Sequence, residues 1–128
     1  YGPYESYSDK HRASWVDRFD TTVDDMFEDY VFPQENGSHY NCQYASVGNL
    51  FAKGKKPFSF QASRYSEKEL DEKAHNFELV PSDGIYVELD YKQSGIGSNS
   101  CGPRLAEKYQ LREEKIEWEI SIRFDNKN

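Results

Sequence analysis

The chain has 128 residues, and its 23 Asp+Glu outnumber its 16 Lys+Arg, which gives a formal net charge of -7. This length fits a single domain, residues 1–128, and is too short for a barrel enzyme of about 250 residues. The acidic balance, with no basic run, argues against a nucleic-acid partner, because phosphates need clustered Lys and Arg. No apolar stretch approaches the ~18 residues of a membrane span, so we expect no membrane partner. Aromatic side chains make up 16% of the residues, which favours strands over helices.

The first third of the chain predicts short strands and turns. Two weak strand signals lie at Trp15–Asp20 and His39–Val47, and the second is rich in Tyr. Between them, Asp24–Phe27 fits a short turn of helix. The segment Gln34–Gly37 is typical of a turn, because its Asn-Gly pair suits a tight reversal of the chain.

The middle of the chain predicts a strand and then one helix. Apolar and polar residues alternate over Phe58–Ser63, which predicts a strand, and the Gly and Pro of Lys53–Pro57 predict a turn before it. Ser66 and Glu69 form a capping box, which predicts that a helix begins there. Apolar residues then recur at helical spacing, at Leu70, Ala74 and Phe77.

Two amphipathic strands are predicted after the Ser82–Gly84 turn, at Ile85–Tyr91 and at Lys115–Phe124. In both, apolar residues alternate with polar ones, which is typical of an antiparallel sheet with one buried and one wet face. The longest apolar face comprises Ile116, Trp118, Ile120, Ile122 and Phe124. The pattern predicts a mainly β fold, an antiparallel β-sandwich with one helix.

The segment Ser94–Pro103 holds three glycines and a proline, directly after the strand at Ile85–Tyr91. A phosphate-binding loop needs a parallel strand–loop–helix unit, which the antiparallel pattern denies, and the glycine spacing also differs from that fingerprint. We interpret the segment as a shaped loop of the kind that often carries binding function. A purely structural turn is the alternative, and composition alone favours it.

No residue pattern in the chain supports catalysis or metal binding. A glycosidase needs two opposed carboxyl groups, but the acidic runs at Asp24–Asp29 and Glu113–Glu119 fit solvated faces. The three histidines share no metal-ligand spacing with each other or with the cysteines. Cys42 and Cys101 are interpreted as free thiols, with one bridge as the alternative. We predict no catalytic residue, no metal site and no cofactor in this chain.

Four motifs occur in a fixed order along the chain: Gly2-Pro3-x-Glu5-x-Tyr7-x-Asp9, Tyr30–Gly37, Ser63-Arg64-Tyr65-Ser66 and Gly95–Pro103. Together with the terminal aromatic strand, they resemble the C-terminal small-chain domain of bacterial β-galactosidases of glycoside hydrolase family 2. The resemblance extends over essentially the whole chain. It implies that the fold is part of a galactose mutarotase-like β-supersandwich about twice this length, and that this chain is its C-terminal half.

The resemblance also implies a function for the parent protein. Family members are multidomain, usually oligomeric enzymes that hydrolyse β-D-galactosides such as lactose with retention of configuration. Their catalytic glutamates and principal magnesium and sodium sites lie in a central barrel and its neighbours, so we expect this chain alone to be inactive. Its expected partners are the remaining domains of the parent and, in the intact enzyme, the galactoside.

One loop of this domain reaches the active site in the family, and the matching residues here are Ser98, Asn99, Ser100 and Cys101. Many members carry a Trp in this loop that forms an apolar platform for the sugar. Cys101 stands where that Trp would be, and its small side chain implies a roomier or differently lined outer subsite. The resemblance therefore assigns the four residues as a substrate-proximal loop.

Two other functions remain as alternatives: an autonomous carbohydrate-binding module, and an interface for assembly without sugar contact. The alternation along the strands favours burial of Trp118 and Phe124, which counts against exposed sugar platforms. Because the chain opens with Tyr1, we expect a piece cut from a longer protein or a mature product. The compartment of the parent is not given by the sequence; we favour the cytoplasm over the periplasm and secretion.

Overall fold

The computed structural model describes residues 1–97 and 103–125. Four strands form most of the regular structure: β1 (His39–Val47), β2 (Leu50–Ser63), β3 (Tyr86–Asp90) and β4 (Ile120–Phe124). One α-helix, α1 (Glu67–Glu72), follows β2. Three single 3₁₀ turns lie at Asp24–Met26, Asn76–Glu78 and Glu107–Tyr109.

The four strands form one open antiparallel sheet with the long strand β2 at its centre. β1 pairs with one edge of β2. The other edge is shared, since β4 pairs with Leu50–Gly54 and β3 pairs with Ser59–Ser63. The prediction of a mainly antiparallel β fold with one helix is confirmed, and the open sheet is consistent with one layer of a sandwich.

The predicted turn at Lys53–Pro57 is wrong, because these residues lie inside β2. The turn signal instead reflects a bulge: between two adjacent pairs with β1, the register advances two residues on β1 and five on β2. Gly54 fits this bulge because a Cβ there would lie 2.2 Å from the Lys56 carbonyl oxygen. The actual hairpin turn is at Gly48 and Asn49, between the paired residues Val47 and Leu50.

The core lies on β1 and β2. Its buried members are Ala45, Ala52, Phe58, Phe60 and Ala62, which confirms the predicted apolar face of Phe58–Ser63. The polar residues of that stretch, Ser59, Gln61 and Ser63, are buried as well. The strand is therefore covered on both faces at this end, whereas the alternation predicted only one covered face.

The helix is shorter than its apolar spacing predicts. Ser66 caps it as expected, since its Oγ accepts the backbone N–H of Glu69 at 3.0 Å. α1 ends at Glu72, however, and Phe77 lies in a 3₁₀ turn with 81% of its surface exposed. The Glu78 carboxylate accepts the N–H groups of Ala74 and His75, so these donors are satisfied outside a helix.

Two strand predictions also need correction. The segment Trp15–Asp20 is not a strand, because Trp15 makes only an isolated bridge with Gly2. In the segment Lys115–Phe124, only β4 is paired. Both segments have a composition that favours strands. In the described residues, however, the rest of neither segment joins the sheet as a strand, although the Glu119 carbonyl accepts the backbone N–H of Lys55 in β2.

The predicted burial of the β4 face is wrong as well. Trp118 and Ile120 pack against the core, but Ile122 is 50% exposed and Phe124 is 66% exposed. Because both pair with β2 beside Ala52 and Leu50, they belong to the same sheet face as the core. The core therefore continues into an uncovered apolar strip, Ile122 and Phe124.

In the described part of the chain, no helix is long and apolar enough to cross a membrane.

Candidate functional site

The four residues predicted as the substrate-proximal loop, Ser98, Asn99, Ser100 and Cys101, lie outside the described residues. The structure describes the two segments that flank them. We call Ser94–Gly97 the loop stem; on the other side, description resumes at Pro103. The geometry of these flanks determines how the loop is attached to the sheet.

The Asp9 carboxylate holds the loop stem. Oδ1 accepts the backbone N–H of Ile96 and Oδ2 accepts that of Gly97, each at 3.1 Å. The contact is so close that a Cβ on Gly95 would lie 2.3 Å from Asp9 Cγ and 2.5 Å from Oδ2. Two consecutive backbone N–H groups thus donate to one carboxylate. At the residue before them, position 95, only glycine fits without displacing the Asp9 carboxylate.

The loop stem is also tied to the flank that follows the loop. The backbone N–H of Gly95 donates to the Tyr109 carbonyl at 3.1 Å. The N–H of Leu111 donates to Ser94 Oγ at 3.0 Å. Leu105 is buried. These contacts join the stem to the segment around Tyr109 and Leu111.

A buried carboxylate, that of Glu5, anchors the segment that carries Asp9. One oxygen accepts from the Lys10 ammonium and the Tyr30 hydroxyl, while the other accepts from Tyr7 at 3.2 Å and the Gly37 N–H at 2.9 Å. Burial alone would raise the pKa of Glu5, but the hydrogen bonds from Lys10, Tyr30 and Gly37 hold it below its ordinary value. Glu5 therefore stays charged and fully partnered in the interior.

A pocket of about 360 Å³ adjoins the loop stem. Ser8, next to Asp9, and Tyr109, which binds Gly95, both line it. Its remaining lining is aromatic, basic and amide-bearing, with no carboxylate: Tyr40, Asn41, Lys56, Pro57, Phe58, Ser59, Tyr91, Lys92, Gln93, Lys108, Gln110 and Leu111. The pocket therefore offers hydrogen-bond donors and cations, but no general acid or base of the carboxylate type.

A group of carboxylates with raised pKa values lies around β3, away from the loop stem. Burial and the charges of Glu67, Glu35 and Asp90 raise the pKa of Glu88 to about 7. The pKa of Glu35 is also raised, by burial and by Asp90. Within residues 1–97 and 103–125, no group of three or more His, Cys, Asp or Glu side chains could hold a metal ion.

Comparison with known proteins places this arrangement in a family. Residues 1–124 match the family described as the β-galactosidase small chain. The chain belongs to the β-galactosidase small-chain family. The match covers the Glu5 and Asp9 anchors, the loop stem and all four strands, so the whole described sheet is part of the small-chain fold.

Curated relatives of this small-chain sequence carry the name β-galactosidase. The protein of Actinobacillus pleuropneumoniae is 50% identical over 125 residues, covering 98% of this chain and 12% of its own length. That of Staphylococcus xylosus is 42% identical, covering 96% of this chain and 13% of its own length. That of Kluyveromyces lactis is 34% identical, covering 97% and 12%. The chain therefore spans only about an eighth of the curated relatives that it matches.

Sequence reasoning did not identify Glu5 and Asp9 as anchors of this small-chain fold. Their partners lie 25 to 88 residues away in the chain, apart from Tyr7 and Lys10. The available signal was two single carboxylates within a Tyr- and Ser-rich segment, followed by the basic residues Lys10 and Arg12. That signal is weak, because an exposed acidic side chain gives the same local pattern.

Proposed function

We propose that this chain is a non-catalytic, C-terminal part of a β-galactosidase whose parent enzyme hydrolyses terminal β-D-galactosides such as lactose with retention of configuration. The observation that carries the proposal is the small-chain match over residues 1–124, in relatives named β-galactosidase that are about eight times longer. The other seven-eighths of such a protein leaves room for the catalytic domain. The role proposed for this chain is to support the fold and to contribute one loop to the active-site mouth.

Its non-catalytic role is supported by the chemistry of the described pocket. Retaining glycoside hydrolysis uses two carboxyl groups about 5–5.5 Å apart on either side of the scissile bond. The pocket beside the loop stem has no carboxylate in its lining. The carboxylates of Glu5 and Asp9 are occupied by backbone and side-chain donors, so neither is free to act on a substrate. We therefore assign the reaction to residues elsewhere in the parent.

The role of Ser98–Cys101 at the active-site mouth is supported by the way the loop is attached. Binding loops work best when a rigid scaffold holds their ends. Here the stem is fixed by Asp9, and Gly95 is bound to Tyr109 on the opposite flank. The described stem therefore has fixed contacts up to Gly97, the residue directly before Ser98.

The experiment that tests the loop role is Cys101→Trp in the full-length enzyme, with Cys101→Ser as the control of similar size. An indole ring offers the C–H face of a galactoside a large apolar contact, so we expect Cys101→Trp to change KM or acceptor preference. Cys101→Ser should leave both close to those of the unchanged enzyme. Unchanged kinetics with Trp across several galactosides would count against the loop role.

An assembly role is favoured by a separate observation, the exposed strip at Ile122 and Phe124. It continues the core face of the sheet, yet half or more of each side chain is exposed. Isolated strands with an open apolar face are aggregation-prone, and proteins normally cover them. We therefore propose that the remaining domains of the parent cover this strip.

Autonomous carbohydrate binding has less support, because the rings of the pocket are already in use. The Lys92 ammonium lies 5.3 Å from the centroid of the Tyr91 ring, and that of Lys108 lies 4.6 Å from the Tyr109 ring. The Tyr40 ring stacks on Tyr1 with centroids 5.9 Å apart. Sugar stacking at these rings would have to displace a cation or another ring.

A further inference from the structure

The face of β2 and β3 that lies opposite the core carries two buried acceptors that lack a donor. Gln61 pairs with Glu88 across the two strands, and directly opposed side chains lie on the same face of an antiparallel sheet. Gln61 is only 3% exposed, yet its Oε1 has no hydrogen-bond partner among the described residues. Asp90 pairs with Ser59 on the same face, and its Oδ2 is also buried without such a partner. We call Gln61, Glu88 and Asp90 the acceptor site.

The charges of the described residues that act on the acceptor site are acidic. Glu67, Glu35 and Asp90, together with burial, raise the pKa of Glu88 to about 7. Burial and the charge of Glu67 raise the pKa of Asp90 as well. None of the ion pairs among the described residues includes any of these four carboxylates. A cation between such carboxylates favours their charged form, so the acceptor site fits a positively charged donor.

The chemistry of the acceptor site favours a guanidinium group. A guanidinium carries five N–H donors in one plane, so it can donate to two carboxylates and an amide oxygen at the same time. It keeps its charge when it is half-buried, whereas a lysine ammonium loses its proton more readily on burial. A metal ion fits less well, because no group of three or more His, Cys, Asp or Glu in residues 1–97 and 103–125 could hold one.

A parent enzyme offers such a group from outside this chain. The chain covers only 12% of the length of its relative from Actinobacillus pleuropneumoniae, so a parent of that size supplies many residues that can pack on this sheet. The net charge of -7 on the chain favours a basic partner surface, since interfaces pair regions of opposite potential.

We propose that the acceptor site binds an arginine side chain from another domain of the parent enzyme, which makes this face of the sheet an interdomain surface. The guanidinium donates to the Glu88 carboxylate, to Asp90 Oδ2 and to Gln61 Oε1. The proposal rests on the proposed function only in that it requires a longer parent enzyme, and it does not involve the active-site mouth.

The test measures how fast phenylglyoxal, a reagent for accessible guanidinium groups, modifies each arginine of the full-length enzyme. We expect one arginine outside residues 1–128 to be protected in the unchanged enzyme. Glu88→Gln or Asp90→Asn should each speed its modification by roughly three- to tenfold, because the guanidinium then lacks one of its charged partners. Glu88→Asp keeps the charge and should retain much of the protection. Glu72→Gln is the matched control, since its pair with Lys68 is exposed, and it should change nothing.

Hydrogen exchange at the β3 amides gives an independent measurement in the same enzyme. At about pH 8 we expect Glu88→Gln to make exchange faster, because it breaks a charge pair with the arginine. Without the arginine, as in the isolated chain, the same substitution relieves repulsion between carboxylates and slows exchange. Slower exchange in full-length Glu88→Gln would therefore overturn the proposal.

Two further results would overturn the proposal. One is unchanged modification of every arginine in both Glu88→Gln and Asp90→Asn. The other is a carbodiimide cross-link from Glu88 or Asp90 to a lysine, which would show that the cation is an ammonium, since carbodiimide joins carboxylates to amines. Hydrolysis of a β-D-galactoside by the unchanged enzyme is measured separately. Its absence would contradict the proposed function, whereas the arginine measurements do not depend on activity.

Discussion

The Glu5 carboxylate accepts the backbone N–H of Gly37 at 2.9 Å, joining two motifs that lie 32 residues apart. Tyr30, at the start of the second motif, donates to the other oxygen of the same carboxylate. Four residues after Glu5, Asp9 accepts two N–H groups of the glycine-rich motif. One short segment with two carboxylates therefore connects three of the four motifs by which the family was recognised.

Replacing Glu5 by Gln should loosen the turn at Gly37. The Gln side chain places an NH₂ group where one carboxylate oxygen of Glu5 accepted hydrogen bonds. The buried donors at that oxygen then lose their acceptor, which lowers the free energy of unfolding by about 1–3 kcal/mol. We expect faster hydrogen exchange at the Gly37 and Tyr7 amides of the intact protein. Glu72→Gln is the control, because its i,i+4 pair with Lys68 is solvent-exposed and such pairs contribute little.

The effect of Glu5→Gln should depend on pH. Because the folded pKa of Glu5 is lowered from the ordinary value of 4.5, its charge stabilises the fold above that pH, and this contribution is lost as pH falls through the folded value. The difference in exchange between Glu5→Gln and the unchanged protein should therefore be full near neutral pH and shrink in acid. A difference that grows in acid would contradict this assignment.

The sheet could be predicted from the sequence where alternation and burial agree. His39–Val47 is a strand with the predicted bounds, and Phe58 and Phe60 lie in the core. The prediction failed at Lys53–Pro57, where glycine and proline are compatible with two structures. They often mark a chain reversal, but they also occur at a bulge within a strand whose two edges are paired. Local sequence does not contain that pairing information.

The predicted burial of the last strand failed for a different reason. Its alternation is real, and Trp118 and Ile120 do pack against the core. Alternation indicates which face is apolar, but it does not indicate whether the covering layer belongs to the same segment of chain. The candidate site was predicted only through the family resemblance, and its supports at Glu5 and Asp9 depend on long-range contacts that no local pattern reveals.

Two glycines with positive φ give a matched pair of substitutions. Gly37 has a φ of 70°, and a Cβ there would lie 2.4 Å from the Met26 carbonyl oxygen, whereas Gly48 has a φ of 58° and open space around it. Gly48→Ala should cost only the backbone strain, about 1–2 kcal/mol. Gly37→Ala adds a collision with backbone and should cost clearly more. Urea unfolding of the 128-residue chain compares them, and equal midpoints would show that the Met26 contact yields without cost.

Glu88→Gln should stabilise the β2–β3 pairing at alkaline pH. The folded pKa of Glu88 is raised to about 7. Protonated Glu88 therefore stabilises the fold fully below the ordinary carboxyl pKa of 4.5, and this stabilisation is lost as pH rises through about 7. Above that pH its charge meets those of Glu67, Glu35 and Asp90. Gln mimics the protonated form and avoids this repulsion.

Hydrogen exchange of the β3 amides measures this effect. At about pH 8 we expect exchange in Glu88→Gln to be slower by roughly two- to fivefold, which suits partly exposed charges worth up to ~1 kcal/mol. At about pH 5 the variant and the unchanged protein should be nearly equal, because Glu88 is then protonated in the folded state. Glu72→Gln again serves as the control, and a stabilisation confined to acid would contradict the sign.

The exposed strip at Ile122 and Phe124 should make the isolated 128-residue chain self-associate and bind a hydrophobic dye. Both residues lie on the core face of β4 with half or more of their surface exposed, and such patches bind apolar partners. Ile122→Ser with Phe124→Ser should reduce dye fluorescence and shift the chain towards monomer in sedimentation. Val31→Ser with Phe32→Ser, at exposed apolar residues outside the strands, is the control and should change dye fluorescence and association state less.

In the full-length enzyme the β4 substitutions should lower thermal stability, since we propose that other domains cover the strip there. A dye-silent monomeric chain, or a full-length enzyme indifferent to these substitutions, would contradict the assembly role.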